Sequence, residues 1–99
     1  MTLTWNDIQT IGLLVRNRSL TATGAALGVN YTTVARRISR AEAALGEVLF
    51  ERMADGYHPT EAAQLIARHS TTMADAEAAM MRQLTGQSGV LAGPLVVTA

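Results

Sequence analysis

The sequence lacks cysteine and lysine, and aromatic residues make up only 4% of its 99 residues. Without cysteine there can be no disulfide bond, thiolate metal site or cysteine nucleophile, which fits a reducing cytoplasm. No apolar run approaches membrane-spanning length, and residues 1–7 lack the basic start and apolar stretch of a signal peptide. We therefore expect a cytoplasmic protein that does not enter a membrane.

Motifs for catalysis and metal binding are missing as well. The acidic residues are not spaced so as to converge on a pocket, and the sequence contains no glycine-rich phosphate loop, nucleophile elbow or zinc motif. His58 has no second ligand at a useful spacing. We expect these residues to form no enzyme and to bind neither a metal nor a cofactor.

The arginines are unevenly distributed, although the formal net charge of the chain is zero. Charges farther apart than about 8 Å are largely screened at physiological salt, so a ligand responds to a local block of charge rather than to the average. A local positive block favours a polyanion such as DNA, whose phosphates dominate binding. Five of the eight arginines lie between positions 16 and 40, where no acidic residue occurs: Arg16, Arg18, Arg36, Arg37 and Arg40.

Periodic apolar residues predict three helices in the first half of a chain that is long enough for one domain. The second and third are separated by only a few residues that include a glycine, which predicts a helix-turn-helix unit. The predicted helices cover about 4–17, 20–27 and 31–45, with Thr4, Ser19 and Asn30 as caps and with Gly28 and Gly46 ending the last two.

Extended segments follow the third predicted helix. Residues 48–52 are apolar and tolerate β-structure, and the Asp55-Gly56 pair after them favours a tight turn. We predict a two-stranded wing with its tip at this pair. Pro59 then ends the wing, and Thr60 caps a long helix that reaches about residue 84.

The third predicted helix has one apolar and one polar face at about 100° per residue. The major groove of DNA admits an α-helix, arginine can bond guanine, and threonine can contact thymine. A charged face that only keeps the helix soluble is the alternative, but the turn before it and the wing after it favour DNA. The apolar stripe comprises Val34, Ile38, Ala41 and Leu45, and the polar face Thr32, Thr33, Arg36, Ser39 and Arg40, with Arg37 at its border.

Two rows of residues repeat every seven positions along the predicted long helix. They approximate the a and d positions of a coiled coil, which predicts pairing with a second copy of the chain. The single histidine in these rows, His69, is more simply explained as an interface residue than as a ligand. If the helix folded back onto its own domain, the same rows would be intramolecular core. The candidate dimerisation residues are Ile66, Met73 and Met80 in one row and Ala62, His69 and Ala76 in the other.

Leu45-Gly46 is followed by Leu49-Phe50-Glu51-Arg52 shortly after the helix-turn-helix. Together with several of the segments above, this motif resembles the LysR-type family of bacterial transcription regulators. It is the most specific part of the resemblance, whereas a helix-turn-helix pattern alone would be weak. The resemblance covers nearly the whole chain and also includes residues 19–21, 26–29, 42–44 and 60–62, with Val34, Arg36 and Ile38.

The resemblance implies a mainly α fold in three parts. Residues 1–59 would form a three-helix winged helix-turn-helix domain with a short β-hairpin, and 60–86 a linker helix that pairs antiparallel in a homodimer. Residues 87–99 would be a hinge and the first strand of an effector-binding domain of periplasmic-binding-protein type, which would bind a small-molecule effector beyond this sequence. The implied partners are double-stranded DNA with an inverted repeat, a second copy of the chain and RNA polymerase.

The resemblance also implies roles for individual residues. Asn30 and Tyr31 stand where the family commonly has Ser-Gln, so we expect a different operator preference. Asp55 replaces a usually basic residue at the wing tip, and Gly24 replaces a usual alanine at a cost of about 1 kcal/mol unless close packing requires it. The candidate DNA contacts are Ser19, Thr21, Asn30, Tyr31, Thr32, Thr33, Ala35, Arg36, Arg37, Arg40 and Arg52.

Two other functions fit parts of the sequence. A helical protein-interaction module could use the arginine face to meet an acidic partner. A winged-helix regulator of another family could carry an appended sensor domain, for example for molybdate. The order of wing, long helix and strand favours the LysR type.

Overall fold

The predicted helices and wing are present in the computed structural model, which describes residues 3–85. The segment 87–99, predicted as a hinge and a strand, lies outside the described residues. Within residues 3–85, none of the helices combines the length and the apolar character of a membrane-spanning segment. The elements are α1 (Trp5–Asn17), α2 (Leu20–Leu27), α3 (Tyr31–Leu45), β1 (Phe50–Met53), β2 (Gly56–Pro59) and α4 (Glu61–Leu84).

Side-chain caps fix the start of three of these four helices. Thr4 and Asp7 form a reciprocal capping box on α1, Ser19 accepts from the backbone of α2, and Thr60 accepts from that of α4. Asn30 stands at the predicted cap position of α3, but its side chain makes no capping hydrogen bond. The predicted cap position is confirmed, and the carbonyl of Asn30 accepts from the backbone N–H groups of Thr33 and Val34 in the first turn.

The apolar stripes of α1 and α3 meet in one core. The structure confirms the predicted inner face of α3, with Leu45 packed only partly against the core. Loop and wing residues close the core from one side, and α4 closes it from another. The buried apolar residues are Ile11, Leu14, Val34, Ile38, Ala41, Leu49, Phe50 and Ala63.

The wing docks on the turn between α1 and α2. Its strands pair antiparallel, and the backbone N–H of Tyr57 donates to the carbonyl of Arg18 at 3.1 Å. The first strand begins at Phe50 rather than at residue 48. At its start the Glu42 carboxylate accepts from the backbone N–H groups of Leu49, at 2.8 Å, and Phe50. This carboxylate thereby joins α3 to the wing.

The long helix α4 crosses α1 at a glycine. A Cβ at Gly12 would lie 2.6 Å from Ser70 Oγ, so the missing side chain permits the close approach. Ala63 and Ser70 are the buried residues of α4, whereas residues 71–85 are exposed apart from a half-buried Ala79. Only the first half of α4 is therefore covered by its own domain.

Gly24 lies in the middle of α2 and packs against the turn that follows this helix. A Cβ there would stand 2.7 Å from the backbone carbonyl oxygen of Val29, whose N–H in turn donates to the Gly24 carbonyl at 2.9 Å. Main-chain atoms cannot give way as a flexible side chain can. Close packing thus explains a glycine at a helical position where alanine would have the higher helix propensity.

We expect Gly24→Ala to lower the free energy of unfolding, although propensity alone would raise it by about 1 kcal/mol. The physical reason is overpacking against the Val29 carbonyl, which typically costs about 1–3 kcal/mol. Urea unfolding of both proteins measures the change. The matched control is Ala26→Gly at an exposed position of α2, where propensity alone should destabilise. A stabilised Gly24→Ala protein would contradict the close contact.

Candidate nucleic-acid interface

The outer face of α3 is accessible and polar. Thr32, Arg36, Ser39 and Arg40 are exposed, and Tyr31 at the start of the helix is 54% exposed. The structure thus brings most of the predicted base-facing residues of α3 together on one surface. Of the remaining candidates on or next to this helix, Asn30 is exposed, and Thr33, Ala35 and Arg37 are half-buried.

Arg36 extends from the centre of this face. It lies one helical turn after Thr32 and one turn before Arg40, and it makes no hydrogen bond or ion pair with the described residues 3–85. Its guanidinium group therefore keeps all five N–H donors for another molecule.

Arg40 is already engaged by a carboxylate of α1. Its Nη2 lies 2.6 Å from Oδ1 of Asp7, in a pair whose arginine side chain is 58% exposed and whose aspartate side chain is 4% exposed. The predicted exposure of Arg40 is correct, but its charge is partly balanced from inside the domain. The local positive charge is therefore lower than the acid-free stretch of sequence between positions 16 and 40 predicts.

Arg37 is also tied to α1. Its Nη1 donates to the hydroxyl of Thr10 at 3.3 Å, and that hydroxyl donates to the carbonyl of Asn6 at 2.7 Å. Thr10 is fully buried. Arg37 thus lies at the border of the face, as predicted, and serves the packing of α3 on α1.

Sequence reasoning missed both anchors on α1. Asp7 and Arg40 are 33 positions apart, and Thr10 and Arg37 are 27 apart. The Thr4-Asp7 spacing predicts a helix start and says nothing of a distant arginine. One feature of the sequence could have indicated the pair. Asp7 is the only acidic residue before Glu42, so the arginines between positions 16 and 40 have almost no acidic partner in this part of the chain.

The surroundings of Asp7 set its ionisation. Burial raises the pKa of its carboxyl, but hydrogen bonds from Arg40 and from the backbone and side chain of Thr4 more than offset that effect. The pKa of Asp7 therefore lies below its usual value of 3.8. At neutral pH the buried group is a carboxylate that faces a guanidinium.

The predicted contacts outside α3 have different surroundings. Thr21 is exposed, whereas the hydroxyl of Ser19 already accepts from the backbone of α2. Arg52 is exposed on the wing, with its guanidinium carbon 5.8 Å from the ring centroid of Tyr57.

The acidic wing tip is paired within the wing. Asp55 Oδ1 lies 2.7 Å from His58 Nε2, and this hydrogen bond lowers the pKa of the exposed aspartate. The described residues 3–85 contain no cluster of three His, Cys, Asp or Glu side chains that could hold a metal ion.

The predicted dimerisation rows divide into two parts. Ala62 and Ile66 are half-buried and pack against the core of their own domain. The later members of both rows are exposed: His69, Met73, Ala76 and Met80. Residues near the end of α4 that lie outside the predicted rows add to the exposed apolar surface, with Met81 48% and Leu84 59% exposed.

Comparisons with known proteins place this geometry in context. The family model of the bacterial regulatory helix-turn-helix proteins, lysR family, matches residues 5–64. The Mau operon transcriptional activator of Paracoccus denitrificans is 32% identical over 85 residues, which are 86% of this chain and 30% of that protein. The chain therefore spans about a third of the length of this relative.

Solved structures show the same fold. The full-length LTTR LysG from Corynebacterium glutamicum matches 87% of this chain and 30% of its own, with a TM-score of 0.76 and 22% identity. The BenM DBD in complex with catB site 1 DNA matches 83% of this chain and 96% of its own, with a TM-score of 0.71 and 18% identity.

The ion pair predicts a pH-dependent stability. Since the pKa of Asp7 is lowered on folding, its contribution is present above pH 3.8 and is lost as the pH falls through the folded-state pKa. We expect Asp7→Asn to be less stable than wild type at neutral pH, with a difference that shrinks in acid. Urea unfolding across this range measures it. For comparison, Asp75→Asn replaces an exposed aspartate of α4. A difference for Asp7→Asn that is independent of pH would contradict the assignment.

Proposed function

Since the chain belongs to the lysR family of bacterial regulatory helix-turn-helix proteins, we propose that it is the DNA-binding part of a transcription regulator in which α3 enters the major groove. The single observation that carries this proposal is the exposed outer face of α3, with Arg36 unengaged at its centre. The major groove accepts an α-helix, and arginine is the residue that most often reads guanine there.

The three arginines of α3 have different surroundings, and these differences support the orientation. Arg36 is available for a base edge, whereas Arg40 keeps an exposed guanidinium at the side of the face that adjoins α1. Contacts to phosphates position a protein on DNA, and contacts to bases specify the sequence. We assign base contact to Arg36 with Thr32 and Tyr31, and phosphate contact to Arg40.

A homodimer formed through α4 is part of the same proposal. A helix of 24 residues is about 36 Å long, and its second half is uncovered by its own domain. Met73, at 42%, and Met80, at 50%, are exposed on it. A two-fold dimer would place two copies of α3 in successive major grooves of an inverted repeat.

The activity of the whole regulator extends beyond these residues. The matched region is 30% of the length of the Mau activator, so most of that protein lies outside it. We propose that binding of a small-molecule effector and contact with RNA polymerase belong to sequence outside residues 3–85. In this proposal the described residues contribute DNA binding and dimerisation and catalyse no reaction.

We expect Arg36→Ala to weaken binding to the preferred duplex by about 1–3 kcal/mol and to relax preference at one base position. Duplexes selected from a random pool by the wild-type chain serve as probes, and fluorescence anisotropy at several salt concentrations gives the affinity. Wild-type binding must weaken steeply as salt rises, because bound phosphates release counterions.

Arg16→Ala is the matched control, since Arg16 is an exposed arginine at the end of α1, beside Ser70 and Ala74 of α4. It removes the same charge without changing the outer face of α3, and we expect sequence preference to stay as in wild type. An Arg36→Ala chain with unchanged affinity and unchanged preference would refute the base-reading role. A wild-type chain that binds acidic proteins but no duplex would instead support a protein-interaction module.

Met80→Glu should shift the chain from dimer to monomer, because a dimer through α4 would bury a charge at this position without a partner. Sedimentation velocity measures the mass in solution. Met53→Glu is the control, since Met53 is equally exposed, at 50%, but lies on the wing. A Met80→Glu chain that remains dimeric while Met53→Glu dissociates would assign the interface to the wing.

A further inference from the structure

The pair between Asp7 and Arg40 lies at the edge of the proposed DNA surface. One nitrogen of the guanidinium, Nη2, meets the carboxylate at 2.6 Å, while 58% of the arginine side chain stays exposed. A guanidinium carries five N–H donors. The contact with Asp7 thus leaves donors on the solvent side, next to the face that carries Arg36.

Asp7 is itself held rigidly. Its Oδ2 accepts from the backbone N–H of Thr4 at 3.2 Å, and its own N–H donates to the Thr4 hydroxyl at 3.1 Å. Its side chain is 4% exposed, behind the guanidinium of Arg40. The carboxylate is therefore a fixed anchor that the arginine shields from the outside.

We propose that Asp7 is a positioning residue for DNA binding, which holds the Arg40 guanidinium so that its remaining N–H groups donate to a DNA phosphate beside the major groove. The inference rests on the proposed function and adds a residue of α1 that lies outside the recognition helix. An arginine that is mobile in the free protein loses rotamer freedom when it binds. Arg40 loses part of that freedom when the domain folds, before DNA arrives.

Charge alone predicts the opposite role for Asp7. A carboxylate near DNA repels phosphates, so its removal by Asp7→Asn would strengthen binding if charge dominated. If positioning dominates, the same substitution weakens binding, because Arg40 keeps its charge but loses its fixed orientation. We expect weakening of about twofold to tenfold, the equivalent of one immobilised long side chain.

The test is fluorescence anisotropy of the 99-residue chain with a labelled mixed-sequence duplex over a range of salt concentrations. A mixed sequence suffices, because a phosphate contact is independent of base sequence. Asp7→Asn should bind more weakly with an unchanged salt slope, since the number of neutralised phosphates is kept. Arg40→Ala should reduce the slope by about 0.9, the value for one phosphate. In the Arg40→Ala background, Asp7→Asn should not weaken binding further.

Two controls separate positioning from a general loss of structure or charge. Thr60→Ala removes the hydroxyl that caps α4 and should lower thermal stability, but it leaves Asp7 and its contacts with Thr4 and Arg40 unchanged, so DNA affinity should stay as in wild type. Asp55→Asn removes an equal charge from the wing tip and should leave binding unchanged or strengthen it.

The outcomes distinguish this inference from the function on which it rests. If the wild-type chain binds the duplex and Asp7→Asn binds equally well or more tightly, the positioning role is overturned and the proposed function stands. The positioning role also fails if Asp7→Asn weakens binding by the same factor in the Arg40→Ala background. If the wild-type chain shows no salt-dependent binding to any duplex, the proposed function fails, and the inference fails with it.

Discussion

The burial of one face of α3 against α1 is the constraint on which the rest of the structure depends. Val34 and Ile38 must leave water, and Ile11 and Leu14 provide the surface that receives them. Once that face is buried, the opposite face has to be exposed, whatever residues it carries. The outward direction of Arg36 is thus a consequence of the apolar stripe rather than of any contact that the arginine makes itself.

Polar contacts at the border of this packing fix the orientation of α3, which apolar contacts alone do not. Apolar side chains can slide with small losses, whereas hydrogen bonds weaken steeply when distance and angle change. Asp7 and Thr10 bind Arg40 and Arg37 along one side of α3, and Glu42, near the end of α3, binds the backbone of Leu49 where the wing begins. These contacts fix the rotation of α3 about its own axis and therefore determine which residues form its outer face.

Features that depend on neighbouring residues could be predicted from the sequence, whereas features that depend on residues far apart in the chain could not. Helix bounds followed from residues within a few positions of each end, such as Ser19 before α2 and Gly46 after α3, and the structure confirms them. The start of β1 and the anchors of Arg37 and Arg40 depend on residues that only the fold brings together. The role of Gly24 was open for the same reason, because the opposing Val29 carbonyl becomes visible only in three dimensions.

The seven-residue rows of α4 show a further limit of sequence patterns, since a row of apolar residues does not reveal what covers it. Ile66 packs on its own domain, whereas Met80 in the same row is exposed. The change occurs directly after the close approach of Ser70 to Gly12. Because α1 also anchors α3, it connects the two surfaces. In the proposed dimer, the separation of the two copies of α3 would therefore depend on the packing of α1 as much as on α4.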